Sequence, residues 1–172
     1  MCKMFNLLVL SAFLATAANA HDIVLREQGK AILGVSYPAD WKQVVDKNYV
    51  VATSEDGTAW SVISTLKDIK NKAAGIPKIK EGLEEYLMEI KYDELTETEG
   101  GALVLSGKGK GKESGVEIVF TSGVFQSGPE RFAGIVFIVD ADIEKYYEKT
   151  VLAICESVRV EADFPEEPVS AE

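Results

Sequence analysis

Histidine and cysteine are nearly missing from this chain: one His and two Cys stand among 172 residues. A lone His21 excludes Ser-His-Asp, Cys-His and multi-histidine zinc chemistry, unless it folds back onto the domain, because each needs an imidazole beside a second functional group. Cys2 precedes the first apolar run and Cys155 lies near the far end, so no disulfide framework is written in the chain. Past the first fifteen residues no run is apolar enough to cross a bilayer, which takes roughly 20 such residues. Positive charge is also in deficit, with 18 basic against 28 acidic side chains. That balance repels phosphate backbones and anionic lipid surfaces, so no nucleic acid and no membrane insertion is expected.

The N-terminus has the pattern of a signal peptide. Lys3 and the terminal amine supply positive charge, an apolar stretch runs from Met4 to about Ala15, and Ala18-Asn19-Ala20 places small side chains where signal peptidase requires them. Cleavage between Ala20 and His21 is therefore expected, giving an exported protein, periplasmic in a bacterium or secreted. Cys2 lies before the apolar run and cannot serve as a lipidation site. The remaining 152 residues carry 17 basic and 28 acidic side chains, a formal charge of −11. They have the size of one domain, expected over residues 21–162 and as a monomer. Residues 163–172 are acidic, include Pro165 and Pro168, and read as a disordered tail.

The mature chain alternates β-rich runs with two helical stripes. Lys30–Tyr37, Gln43–Thr53 and Thr58–Leu66 are expected strands, the last two joined by a turn ending Asp56-Gly57. Ile79, Leu83, Tyr86, Leu87 and Ile90 recur at helical spacing after Pro77, which predicts a helix over Pro77–Lys91. Ala102–Ser106, Val116–Phe125 and Arg131–Val139 form an antiparallel meander with short connections. A second helix is expected over Asp142–Glu156, capped by Asp140 or Asp142, with Ile143, Tyr147, Val151 and Ile154 as its apolar stripe. A short strand, Ser157–Val160, follows. Strands in runs with two helices give an α+β class: an antiparallel β-sheet flanked by α-helices.

Two local motifs carry a family resemblance: Tyr37-Pro38-Ala39-Asp40-Trp41 near the start, and Phe132-Ala133-Gly134-Ile135-Val136-Phe137 followed by a helix and Ile154-Cys155-Glu156-Ser157-Val158. In element order and in these segments, from about Gly29 to Val160, the chain resembles the PsbP-like (Mog-type) superfamily, nearest to its bacterial envelope members such as DcrB. The resemblance implies an α/β/α sandwich and a domain that binds other macromolecules rather than one that catalyses. It brings no family site residues with it, since the members' binding surfaces differ.

The individual signals point the same way. Ser64-Thr65-Leu66-Lys67 spells S-x-x-K, but acyl-transfer chemistry needs the Lys one helical turn after the Ser, and Ser64 falls on an expected strand. Lys108, Lys110 and Lys112 alternate with glycines in a run that enters a strand, not the helix a Walker loop needs. They read as a solvated hairpin end guarding an edge, or as a contact for an acidic partner. Cys155 is expected as a buried, reduced thiol, His21 as a frayed terminus, and Trp41 and Trp60 as core or corner anchors. No metal or cofactor is expected. The function read from the sequence is an exported, non-catalytic module recognising an unknown envelope or extracellular protein; a small-molecule carrier or hydrolytic enzyme with a pocket beside the sheet is the alternative.

Overall fold

A computed structural model describes residues 20–165. The expected leader up to Asn19 and residues 166–172 of the expected disordered tail lie outside the described residues; the tail's first residues are ordered, Asp163 ending a 3₁₀ turn and Phe164 packing under the Arg159 guanidinium. The chain opens with β1 (Ala20–Glu27) and β2 (Lys30–Pro38), a hairpin turned by Gln28 and Gly29. Both turn residues have positive φ, 51° and 84°, as a two-residue turn between right-twisted strands requires. Then come β3 (Lys42–Val45), β4 (Tyr49–Thr53), β5 (Ala59–Leu66), α1 (Gly75–Tyr86), β6 (Leu87–Tyr92), β7 (Thr96–Glu97) and β8 (Leu103–Gly111). The chain continues through β9 (Glu117–Gly128), β10 (Arg131–Asp140), α2 (Glu144–Glu156) and β11 (Arg159–Val160). All pairings are antiparallel. One sheet has the order β1-β2-β11, the other β3-β4-β5-β10-β9-β8-β6, with β7 also on β8. The α+β class expected from the sequence holds.

Several boundaries differ from expectation, each for a physical reason. The first helix stops at Tyr86, and Leu87 turns extended at φ −112°, ψ 151°. Residues 87–92 pair with β8 instead, so the apolar spacing of Leu87 and Ile90 serves a strand: Leu87 is buried either way. Sheet pairing overrides the helical stripe because β8 would otherwise lack a partner on that side. The run Gln43–Thr53 is two strands, folded back at Asp46–Asn48. The strand expected over Ala102–Ser106 runs on to Gly111, which puts Lys108 and Lys110 on β8 rather than in a hairpin end. Neither Asp140 nor Asp142 caps α2: a 3₁₀ turn, Ala141–Ile143, precedes it and no side chain caps either element. His21 is not frayed; it pairs with Tyr37 on β1, a strand the sequence reading missed.

The family-like motifs have clear tasks. Trp41 N–H donates to the Pro38 carbonyl, which closes the Tyr-Pro-x-x-Trp corner. Its indole stacks on Tyr37 at 6.1 Å and meets Tyr147 of α2 edge-on at 6.0 Å. All three rings are buried, so the corner docks α2 on the sheet. At the other end of α2, Ser157 Oγ accepts from Ser36 N–H (2.9 Å) and donates to Ile154 O (2.7 Å). One hydroxyl thus joins the helix end to β2. Asp56, in the β4–β5 turn, ties the third corner. Its Oδ1 accepts from Ser54 Oγ, Thr58 N–H, Thr58 Oγ1 and Tyr147 OH at 2.7–3.1 Å. The Ser54 and Thr58 hydrogen bonds hold this carboxyl well below the usual carboxylate range.

The core divides between the two faces of the large sheet. On one face Val50, Ala52, Ile63, Ala133, Ile135 and Phe137 meet β2 and α2. On the other Leu105, Ile118, Phe120, Val124 and Ile138 meet Ile76, Ile79 and Leu83 of α1. Seven strands side by side span about 33 Å, whereas one helix is about 10 Å across. A single helix cannot cover a face. On the α1 face a pocket lies over β4 and β5, and on the α2 face a groove lies over β8 and β9.

Candidate binding groove

The open strip on the α2 face is the larger of the two. Directly opposed residues in an antiparallel sheet share a face, so Val104, Gly123 and Ile135 form one row across β8, β9 and β10. Ser106, Thr121 and Phe137 form the next. Against this floor stand Cys155 at the end of α2 and Val158 and Val160 beyond it. Phe125 completes the lining, and Lys72, Thr98 and Gly101 edge the mouth. The groove has a volume of about 550 Å³ and is open along one side. Its depth depends on Gly123. A β-carbon there would sit 3.5 Å from Ile135 Cγ2, ordinary contact, so the space above it is empty by composition rather than by strain.

Polar groups around the groove are spoken for. Lys72 Nζ donates to Glu97 Oε1 at 2.7 Å and to the Gly101 carbonyl. Ser106 Oγ and Thr121 Oγ1 bond each other at 3.0 Å. Cys155 is half-buried, and burial, with a smaller push from the Glu156 charge, raises its thiol to about 12. A thiol so protonated at neutral pH is a poor nucleophile. Among the described residues no three His, Cys, Asp or Glu side chains gather as a metal site would need. What converges here is apolar surface.

A narrow cleft lined by Thr121, Phe137, Lys108, Glu144 and Glu148 continues the groove along α2, sharing its first two residues with it. Of the three lysines singled out in the sequence, Lys108 is exposed at this far mouth. Lys110 Nζ pairs with Glu89 Oε2 at 2.8 Å, and Lys110 also lies opposite Glu117. Lys112 is in the turn after β8, its N–H given to the Tyr86 carbonyl. Lys108 and Lys110 thus share one face of β8 and line one shallow pocket with Lys91, while Lys112 lies beyond the strand. The glycine just before them answers to packing: a β-carbon on Gly107 would lie 2.3 Å from the Lys91 carbonyl oxygen and 2.6 Å from Phe120 Cζ. Trp41 is the anchor expected. Trp60 is only half-buried, edge-on to Tyr86 at 5.6 Å on the open part of the α1 face. Ser64 is on β5 and Lys67 follows the strand's end, so S-x-x-K has no helical turn. His21 Nδ1 lies 3.3 Å from Gln43 Oε1.

The overall shape has counterparts among solved structures. Cyanobacterial PsbP (CyanoP) from a Synechocystis species is similar at a TM-score of 0.54 and 12% identity, over 88% of this chain and 98% of that one. LpqN of Mycobacterium tuberculosis is similar at 0.53 and 14%, over 82% and 91%. The fold is PsbP-like. A Bacteroides thetaiotaomicron protein aligns at 0.49 and 17%, over 74% of this chain but only 44% of its own length. No protein-family model and no curated protein sequence matches the chain.

The sequence allows a pocket beside the sheet but does not place it, because the floor residues look like any buried strand. Phe125, Ile135 and Phe137 are apolar in alternation whether a helix covers them or not. The one available signal was the count of helices against strands.

Proposed function

We propose that this chain is an exported, non-catalytic binding domain that recognises an envelope protein, taking an apolar segment of that partner in the groove beside α2. The observation that carries the reading is the groove itself, about 550 Å³ of mostly apolar lining, with no metal-ligating cluster among the described residues. Burying such a lining returns roughly 25 cal/mol per Å² of apolar surface, enough to anchor a partner by a few side chains. Lys108 shares the far mouth with Asp93, Glu144 and Glu148, so its charge is offset there and the apolar lining carries the reading. Two further points support an envelope setting: the signal-peptide pattern ending at Ala20, and the likeness to LpqN, a protein involved in cell envelope biogenesis. Within the superfamily the kinship we propose is with the bacterial envelope members.

Replacing Phe125 with the photo-crosslinker benzoylphenylalanine, in the producing cells, tests this. The chain recovered should begin at His21, and illumination should join it to one discrete envelope protein. The same residue placed at Leu152, on the solvent side of α2, should capture nothing. Crosslinks from Leu152 but none from Phe125 would move the binding surface elsewhere.

A further inference from the structure

The large sheet ends in β6 on one side and β3 on the other, and the two edges are built differently. β6 is blunted: Glu89 sits at φ 53°, the register slips between Met88 and Lys91, and two charged side chains flank the slip. Bulges and charge of this kind keep an edge from pairing. β3 has no bulge; it is four residues long, with Lys42 at its start, Asp46 just past its end and two valines between them. Val44 is 63% exposed on the α1 face and Val45 54% exposed on the other. An edge that is apolar on both faces has the pattern of a strand inside a sheet.

The backbone specifies which groups are free. Asp46 N–H donates to the Tyr49 carbonyl at 2.9 Å, so residues 42, 44 and 46 turn their backbone groups toward β4. Gln43 and Val45 turn theirs outward. An antiparallel neighbour identical to β3 can then dock in only three registers: Gln43 opposite Gln43, Gln43 opposite Val45, or Val45 opposite Val45. The first sets Lys42 against Val44, and the last sets Val44 against Asp46. Only the middle register places Val44 against its own symmetry mate, with Lys42 opposite Asp46 on both sides.

We propose that β3 is a self-pairing edge, and that a second copy of this chain joins it about a two-fold axis through Val44 to make one continuous sheet. The row Val44, Val51, Val62 and Val136 already lies on one face, and pairing extends it across the axis. Lys42 and Asp46 are both exposed and make the edge complementary to itself. General repulsion between two acidic chains is screened beyond about 8 Å at physiological salt, which leaves the paired charges to decide. The proposal replaces the monomer expected from the sequence and does not depend on the groove beside α2.

Sedimentation equilibrium of the mature chain at about 100 µM should give twice the chain mass, falling to one as it is diluted. Lys42→Asp and Asp46→Lys each set like charges opposite one another twice, and each should weaken the dimer about tenfold. An equimolar mixture of the two variants should dimerise again, because every introduced Asp then meets an introduced Lys and the native pair is kept. Val44→Lys should abolish association. Asp46 also accepts from Lys47 N–H in the turn; if Asp46→Lys melts early, Lys42→Asp, which alters only an exposed side chain, still decides. A monomer at every concentration overturns the proposal, as does a dimer whose strength Lys42→Asp leaves unchanged, which would be one formed by another surface.

Discussion

Cys155 should react with a small thiol reagent at pH 8 about a thousandfold more slowly than free cysteine. The reacting species is the thiolate, and the thiol is raised from an ordinary 9.0 to about 12, first by burial and then by the Glu156 charge. Each unit of that shift removes a factor of about ten from the thiolate fraction at neutral or mildly alkaline pH. Access is not the obstacle, since Cys155 lines a groove wide enough for small molecules. The rate should therefore climb about tenfold per pH unit up to pH 11, where a free thiol has long reached its plateau. Stopped-flow labelling across that range measures it. A plateau near pH 9, or a disulfide-linked dimer on a non-reducing gel, would show an ordinary exposed thiol and contradict the packing described here.

The same proton has a second consequence, loss of stability in alkali. Tyr37 is fully buried with its OH 3.0 Å from Ser61 Oγ, and burial raises it from 10.0 to about 12. Both groups hold their protons more tightly folded than unfolded. Below about pH 9 both states keep them, and the contribution to stability is complete. Above it the unfolded chain releases the Cys155 proton while the folded chain does not, so stability falls by about 1.4 kcal/mol per pH unit. Past pH 10 Tyr37 joins, and the slope doubles to about 2.7 kcal/mol per unit. Tyr92, raised by burial, acts in the same direction. By pH 12 the loss is about 7 kcal/mol, comparable with the whole stability of a domain this size. Urea titrations from pH 8 to 11.5 should show the midpoint falling in that manner. Cys155→Ala should delay the onset by about one pH unit, and Tyr37→Phe should lessen the slope above pH 10. A midpoint flat to pH 11 in the unaltered protein would mean that neither group is buried as described.

These two residues show how far the sequence could be read. Tyr37 was legible, because an aromatic beside Pro38 and near Trp41 in a β-branched run announces a packed corner. Cys155 was legible as a small apolar residue near a helix stripe. Its place at a groove wall was not, because that depends on how far α2 lies from β8. The meander of β8, β9 and β10 followed from alternation and short turns. The overrun of α1 into β6 could not be foreseen, since Leu87 and Ile90 suit a helix face and a strand face equally. β1 escaped notice because Asp22, Arg26 and Glu27 make it a polar edge with little apolar alternation. The lysine run drew attention by composition, yet its partners Glu89 and Glu117 come from two other strands, a pairing visible only once β6, β8 and β9 are side by side. The groove was the least legible of all, because its floor residues Val104, Ile135 and Phe137 are buried like the rest of the core.

The groove's role is tested most directly at Gly123. Gly123→Leu fills the floor between Val104 and Ile135, where the first added carbon makes only ordinary contact, so folding should be unaffected. The measurement is the dissociation constant of the partner captured from Phe125, compared between this variant and the unaltered chain. A loss of tenfold or more, about 1.4 kcal/mol, at unchanged melting temperature is the result predicted. Equal affinity with the groove filled would contradict the account.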